Sequence, residues 1–272
     1  MTEFLKSTLI LFATFILFYF GYQSYKNAST YIELSKAISH KNNTTKSMQK
    51  KLNKFLEDLS LGIYDKYSSN NDKLKVLERN ANNTYNKSIN NLYYFFMTVF
   101  IFGVILFLID KEIFLIFLGI ATLTSLIVAL FSPLLMMTVY KSFPLIGEVI
   151  LSYDSKSISS TITKLFHQAN YIVALIVLTF SVLIPLFKSV LIISYGFFKE
   201  TGISKKMVLF IEKIGKWSMA DVFIVAVLVV FFSTKQDIHT SIKIEVGLYF
   251  FIGYVLLSML GSTILAQKHA KE

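Results

Sequence analysis

The chain has 272 residues, 54% of them hydrophobic, and its mean hydropathy of +0.58 comes in long uninterrupted blocks that argue against a soluble fold. Several blocks exceed the roughly 18 to 20 apolar residues needed to cross about 30 Å of hydrocarbon, and their lack of period-two alternation points to helices. The absence of Cys excludes disulfides, thiolate zinc sites and a cysteine nucleophile, and a net charge of +10 on a membrane chain points to anionic headgroups rather than nucleic acid.

The first apolar segment, residues 4–22, has Lys6 as its basic flank and no clean small-residue cleavage site, so it reads as a retained signal anchor. Residues 23–91 are polar, with twelve basic residues against six acidic. Their apolar residues recur every three to four positions, at Met48, Leu52, Phe55, Leu59, Ile63 and Tyr67 and again at Leu74, Leu77, Ala81, Tyr85, Ile89 and Leu92. That is a helical period, and the turn chemistry of Ser68-Ser69-Asn70-Asn71-Asp72 between the stripes predicts a helical hairpin extending spans one and two beyond the membrane. At 1.5 Å per residue the arms 23–67 and 72–91 would measure about 68 and 30 Å, so a break is expected near Asn42-Asn43-Thr44. A solvated basic stalk and a docking surface for a partner or anionic lipid both fit this composition.

The second span, 92–109, is followed by Asp110-Lys111-Glu112, a tight turn into the third span, expected over 113–139. The fourth, fifth and sixth spans are expected over 171–198, 220–233 and 247–266. Between spans three and four, Ile146, Val149, Ile150, Ser157, Ile158 and Ile162 are β-prone around a turn at Asp154-Ser155, with Pro133 and Pro144 bracketing the approach, which predicts a small exterior β-hairpin. The expected fold is an all-α polytopic membrane protein with about six transmembrane helices, a helical extracytoplasmic segment and that hairpin. Residues 1–110 would carry two spans and the basic segment, and 111–272 a four-span domain with its tail. The richest short basic loop, with Lys199, Lys205, Lys206, Lys213 and Lys216, is assigned to the cytoplasm. Counting spans outward puts both termini there and 23–91, 140–170 and 234–246 outside; a loop as long as 23–91 translocates regardless of its charge.

No phosphate-cradling glycine loop, nucleophile elbow or paired-histidine zinc motif is present, and the four histidines are scattered, so neither catalysis, cofactor nor metal is expected. The informative residues are ionisable groups near or within spans, where a charge at the bilayer centre costs about 2.5 to 3.5 kcal/mol. Lys188 lies seven residues after Ser181, a helix-face spacing, with Pro185 kinking the backbone between them. It either lines a polar face or snorkels to headgroups. At the start of span five, Ser218 and Asp221 have capping-box spacing and Trp217 suits an interfacial belt. Asp221 paired with Lys188 across neighbouring helices is the other reading, and spacing leaves both open.

Phe143-Pro144 with its hairpin, Ser181-Val-Leu-Ile-Pro185-Leu-Phe-Lys188, Gly215-Lys-Trp217-Ser218-Met219-Ala-Asp221-Val-Phe-Ile-Val-Ala226 and Leu257-Ser258-Met-Leu260 occur in this order. Over about residues 111–266 the chain resembles the paraquat-inducible protein A (PqiA) family, with the Trp217 to Phe223 block the most specific part. The resemblance implies a domain in the bacterial inner membrane that partners an MCE-type periplasmic protein and moves phospholipid between the envelope membranes. It implies a polar network across the lipid pocket, here Ser181, Lys188, Ser218, Asp221 and Ser258, with Pro185, Trp217 and Met219 as structural residues. Typical members have two such domains and cysteine-rich zinc ribbons, whereas this chain has one domain and no Cys. A homo-oligomer or a second membrane subunit is therefore expected to complete the lipid path. The alternatives to lipid transport are a membrane scaffold or stress-response accessory, and a sensory protein signalling through a partner.

Overall fold

The computed structural model describes residues 3–41, 68–143, 147–197 and 240–269. Helices α1 (Glu3–Lys41) and α2 (Ser68–Ile109) are 39 and 42 residues long. At 1.5 Å per residue each is roughly twice the 30 Å apolar layer, so the antiparallel pair projects beyond it as the expected hairpin. Ser68 to Asp72 belong to the start of α2 rather than to a turn; Ser, Asn and Asp suit helix starts as well as turns. The stripe from Met48 to Tyr67 and the break near Asn42-Asn43-Thr44 lie outside the described residues.

The seam of the hairpin mixes small residues with large ones. From Leu17 onward the buried positions of α1 are Leu17, Gly21, Ser24, Ala28, Tyr31, Ser35 and Ile38, spaced four and three apart, and α2 answers with Ala81, Ser88, Leu92, Phe95 and Val99. This is a heptad repeat, the period of a left-handed supercoil. Ser and Ala let the two backbones approach closely, and Ser24 and Ser88 each donate to the other's carbonyl, at 2.9 and 2.7 Å.

Asp110 is the single non-helical residue before α3 (Lys111–Phe131), and its side chain accepts from the Glu112 N–H at 2.9 Å and from Lys6 Nζ at 3.1 Å. The Glu112 N–H, followed by Lys6, holds the Asp110 carboxyl below its ordinary range. Among the described residues α3 is the central, most buried helix, with α1, α2 and two later helices around it. It stops at Phe131, eight residues short of the expected Val139: Ser132 is extended (φ −74°, ψ 152°) ahead of Pro133, as a pre-proline residue prefers.

The apolar run that follows becomes β1 (Leu135–Phe143), the middle strand of an antiparallel sheet ordered β2-β1-β3, with β2 (Gly147–Lys156) and β3 (Thr240–Ile244) beside it. The expected turn at Asp154-Ser155 is instead inside β2, opposite Met137 and Met136, and the register slips by one residue at Val139/Tyr140. Ser157, Ile158 and Ile162 are not in strands either. Ser157 caps α4 (Ile158–His167), accepting from the Ser160 N–H, and the spacing of Ile158, Ile162 and Leu165 is helical.

The fourth span is α5 (Tyr171–Leu178), a π turn (Thr179–Leu183) and α6 (Ile184–Phe197) in succession. α7 (Val246–His269) returns from β3 to the Lys111 end. Five described helices are long and apolar enough to cross a membrane, at 4–38, 75–109, 111–131, 171–196 and 246–267. The expected fifth span, 220–233, lies outside the described residues. The chain is therefore a mostly helical, multi-pass membrane protein with a small three-stranded sheet at one end.

Candidate functional site

Ile192 of α6 fits against two glycines, 3.3 Å from where a Cβ on Gly119 of α3 would sit and 3.1 Å from one on Gly261 of α7. One helical turn nearer the sheet, the same three helices place Lys188 and Ser189, Thr122 and Ser258 at a common level. All four are buried, Lys188 at 1% exposure. The Thr122 hydroxyl donates to Leu118 O at 2.6 Å and that of Ser189 to Pro185 O at 3.0 Å. The buried Ser258 hydroxyl has no hydrogen-bond partner among the described residues, although leaving such a group unsatisfied costs about 1 to 3 kcal/mol. Lys188 is engaged by the protein, and its burial rules out snorkelling: it ends inside the bundle, some 12 Å along the helix from Gly196.

Ser181 does not stack on Lys188 as its spacing predicts. It lies in the π turn, half-buried, where the Ile184 N–H reaches back five residues to Thr179 O. One extra residue in the turn rotates the helix face by roughly 100°, which cancels the seven-residue spacing. Pro185, which is buried, follows at once; it lacks the N–H an α-turn would need, and the π turn absorbs that loss. Trp217, Ser218, Met219 and Asp221, and any contact between Asp221 and Lys188, lie outside the described residues. Thr122 and Ser189 escaped the sequence reading. The Thr122-Leu-Thr124-Ser125 cluster in an otherwise apolar span was the available signal, and Ser125 fastens α3 to α7 by donating to Phe250 O at 2.7 Å.

A sequence model of the paraquat-inducible protein A family matches residues 115–270. The chain belongs to that family. No curated protein and no solved structure matches it. The polar layer thus lies within the PqiA domain, whereas α1 and α2 fall outside the matched residues.

The hairpin is nonetheless fastened to the PqiA domain at the sheet. Lys243 of β3 sets its ammonium 3.4 Å from the centroid of the Tyr85 ring and 5.0 Å from that of Tyr31, and donates to the Tyr31 hydroxyl at 3.3 Å. Tyr31 donates in turn to Met136 Sδ at 3.5 Å. Cation–π contact of this kind contributes about 0.5 to 2 kcal/mol. Replacing Lys243 with Met should therefore loosen the hairpin, raising hydrogen exchange of residues 24–41 and 75–88 by roughly ten-fold while α3 stays protected.

Glu245 lies beneath this clamp with its side chain 0% exposed, 3.8 Å from Lys243 Nζ and beyond hydrogen-bond reach. Burial pushes its carboxyl up to about 7, with the Lys243 ammonium opposing. A carboxyl whose pKa is higher folded than unfolded stabilises the fold most below the unfolded value of 4.5 and loses that contribution as pH rises through about 7. The melting temperature in nanodiscs is expected to fall between about pH 5 and pH 8, and Glu245→Gln should flatten that slope.

Proposed function

We propose that the chain is the inner-membrane component of a bacterial envelope lipid-transport system, holding phospholipid at the polar layer of its PqiA domain and exchanging it with an MCE-type periplasmic partner. The burial of Lys188 carries this reading. A lysine inside a membrane bundle is costly, faces an interior path or cavity, and marks function more often than stability. Its ammonium suits a lipid phosphate, the Ser258 hydroxyl is a donor still to be used, and Asp221 would orient Lys188. The role is binding and transfer rather than bond-making. The lysine-rich loop 199–216 supports cytoplasmic termini, and the projecting hairpin would then meet the periplasmic partner. A second copy of the chain or another membrane subunit would complete the path.

The test is made in a strain whose envelope sensitivity the wild-type chain relieves. Lys188→Ala and Asp221→Ala are each expected to lose rescue at unchanged membrane level. Full rescue by both variants overturns the assignment.

A further inference from the structure

Between the hairpin and the PqiA domain, at the end away from the sheet, α2 and α7 part company. Near the sheet they are locked together: the Phe96 ring occupies the space a Cβ on Gly253 would need, and the Phe95 and Phe250 rings meet at 5.1 Å. Beyond that contact a cavity of about 820 Å³ opens, walled by α2 from Val99 to Leu108 and by α7 from Leu257 to Gln267. Its floor is α3, where Leu115 and Leu118 are 0% and 3% exposed. The wall on α2 is roughly 14 Å long, about half the hydrocarbon thickness and so the depth of one leaflet.

Chemistry at the mouth differs from that of the floor. Lys111 is exposed there, with its ammonium 5.9 Å from the centroid of the Phe107 ring, beside Glu112 and Gln267. Glu112 is half-buried and engaged by the protein, and Asp110 next to it is matched by Lys6 at 3.1 Å. The exposed cation at the mouth is the ammonium of Lys111, with the half-buried Glu112 beside it. An apolar crevice one leaflet deep, closed by a buried floor and topped by a cation at headgroup level, fits one amphiphile class.

We propose that this crevice is a phospholipid site distinct from the polar layer, taking an acyl chain between the exposed side chains of Val104 and Leu260 and an anionic headgroup at Lys111. One wall is helix α2, outside the family match, so the site belongs to this chain's hairpin. Gly103 in that wall would place a Cβ 3.6 Å from Phe114, ordinary contact, so a larger side chain enters the crevice without displacing backbone.

The chain has one tryptophan, Trp217. A Trp217→Phe, Phe107→Trp protein in phosphatidylcholine vesicles reports occupancy through quenching by brominated phosphatidylglycerol or brominated phosphatidylcholine. Half-maximal quenching is expected at about five-fold lower mole fraction for phosphatidylglycerol. Lys111→Gln should erase that preference, Lys111→Arg should keep it, and Gly103→Leu should lower the maximal quench. Identical curves for the two lipids, unmoved by Lys111→Gln and Gly103→Leu, would mean ordinary boundary lipid and overturn the site. The inference builds on the reading of the chain as a lipid-handling protein, but quenching needs no transport. It can fail while Lys188 still governs rescue, and it survives if Lys188 does not.

Discussion

Lys188→Met combined with Asp221→Val will leave the protein folded, with a melting temperature equal to or above that of wild type, and will strip it of bound phospholipid. Methionine has nearly the length of lysine, and replacing both members of a buried charged pair by apolar side chains is often neutral or stabilising, by about 1 to 4 kcal/mol, whereas Lys188→Met alone would leave the group it engages uncompensated. A charge-assisted hydrogen bond from the ammonium to a phosphate contributes about 1.5 to 3 kcal/mol, so losing it should weaken binding by roughly ten- to hundred-fold. Melting curves paired with native mass spectrometry on the same preparation read both quantities. A variant that melts well below wild type would assign the lysine to architecture instead.

Gly247→Ala should be the most damaging conservative change at the sheet end. A Cβ there would lie 2.6 Å from Pro133 O and 2.7 Å from Ser132 O, backbone atoms that no rotamer change can move. To admit it, the start of α7 must draw away from the end of α3, stretching the bonds from the Gly247 N–H to Pro133 O at 2.8 Å and from the Glu245 N–H to Leu134 O at 2.9 Å. A cost of about 2 to 4 kcal/mol is expected, read as a melting temperature several degrees lower. Gly103→Ala is the contrast: its Cβ finds room, and alanine's helix propensity gains up to about 1 kcal/mol, so stability should hold or rise.

The helical, polytopic class was legible because hydrocarbon leaves few ways to satisfy a backbone, and continuous apolar runs select helices from among them. What a span's apolar residues face was not. In α1, Leu11, Phe12, Phe15 and Phe18 are all more than half exposed, while Ser24, Ala28 and Ser35 lie in the seam beside Leu17, Tyr31 and Ile38. Lipid is as apolar as leucine, so hydrophobicity marks the outside of a membrane helix at least as strongly as its packed face, and small residues mark the contact.

Errors near the sheet have local causes. Leu134 to Met137 continue the apolar run of α3, and only Pro133 signals that the helix is over. β3 reads as part of a short loop although Ser241 to Ile244 alternate polar and apolar residues, a four-residue signal with little to distinguish it from a turn. At the site, Lys188 stood out because charge in a span is rare, and its neighbours Thr122 and Ser189 did not, because hydroxyls bonded to their own helix are ordinary there. Ser181 takes another phase than its spacing suggests because Pro185 signals a break in the helix without specifying that a π turn takes it up.

The most direct test is a structure of the chain reconstituted in phospholipid nanodiscs, read at the level of Lys188. Headgroup density is expected within hydrogen-bond distance of Lys188 Nζ and of the Ser258 hydroxyl, with an acyl chain leaving between the helices. A closed layer in which protein groups alone satisfy both side chains, with lipid confined to the outer faces of the bundle, would contradict it.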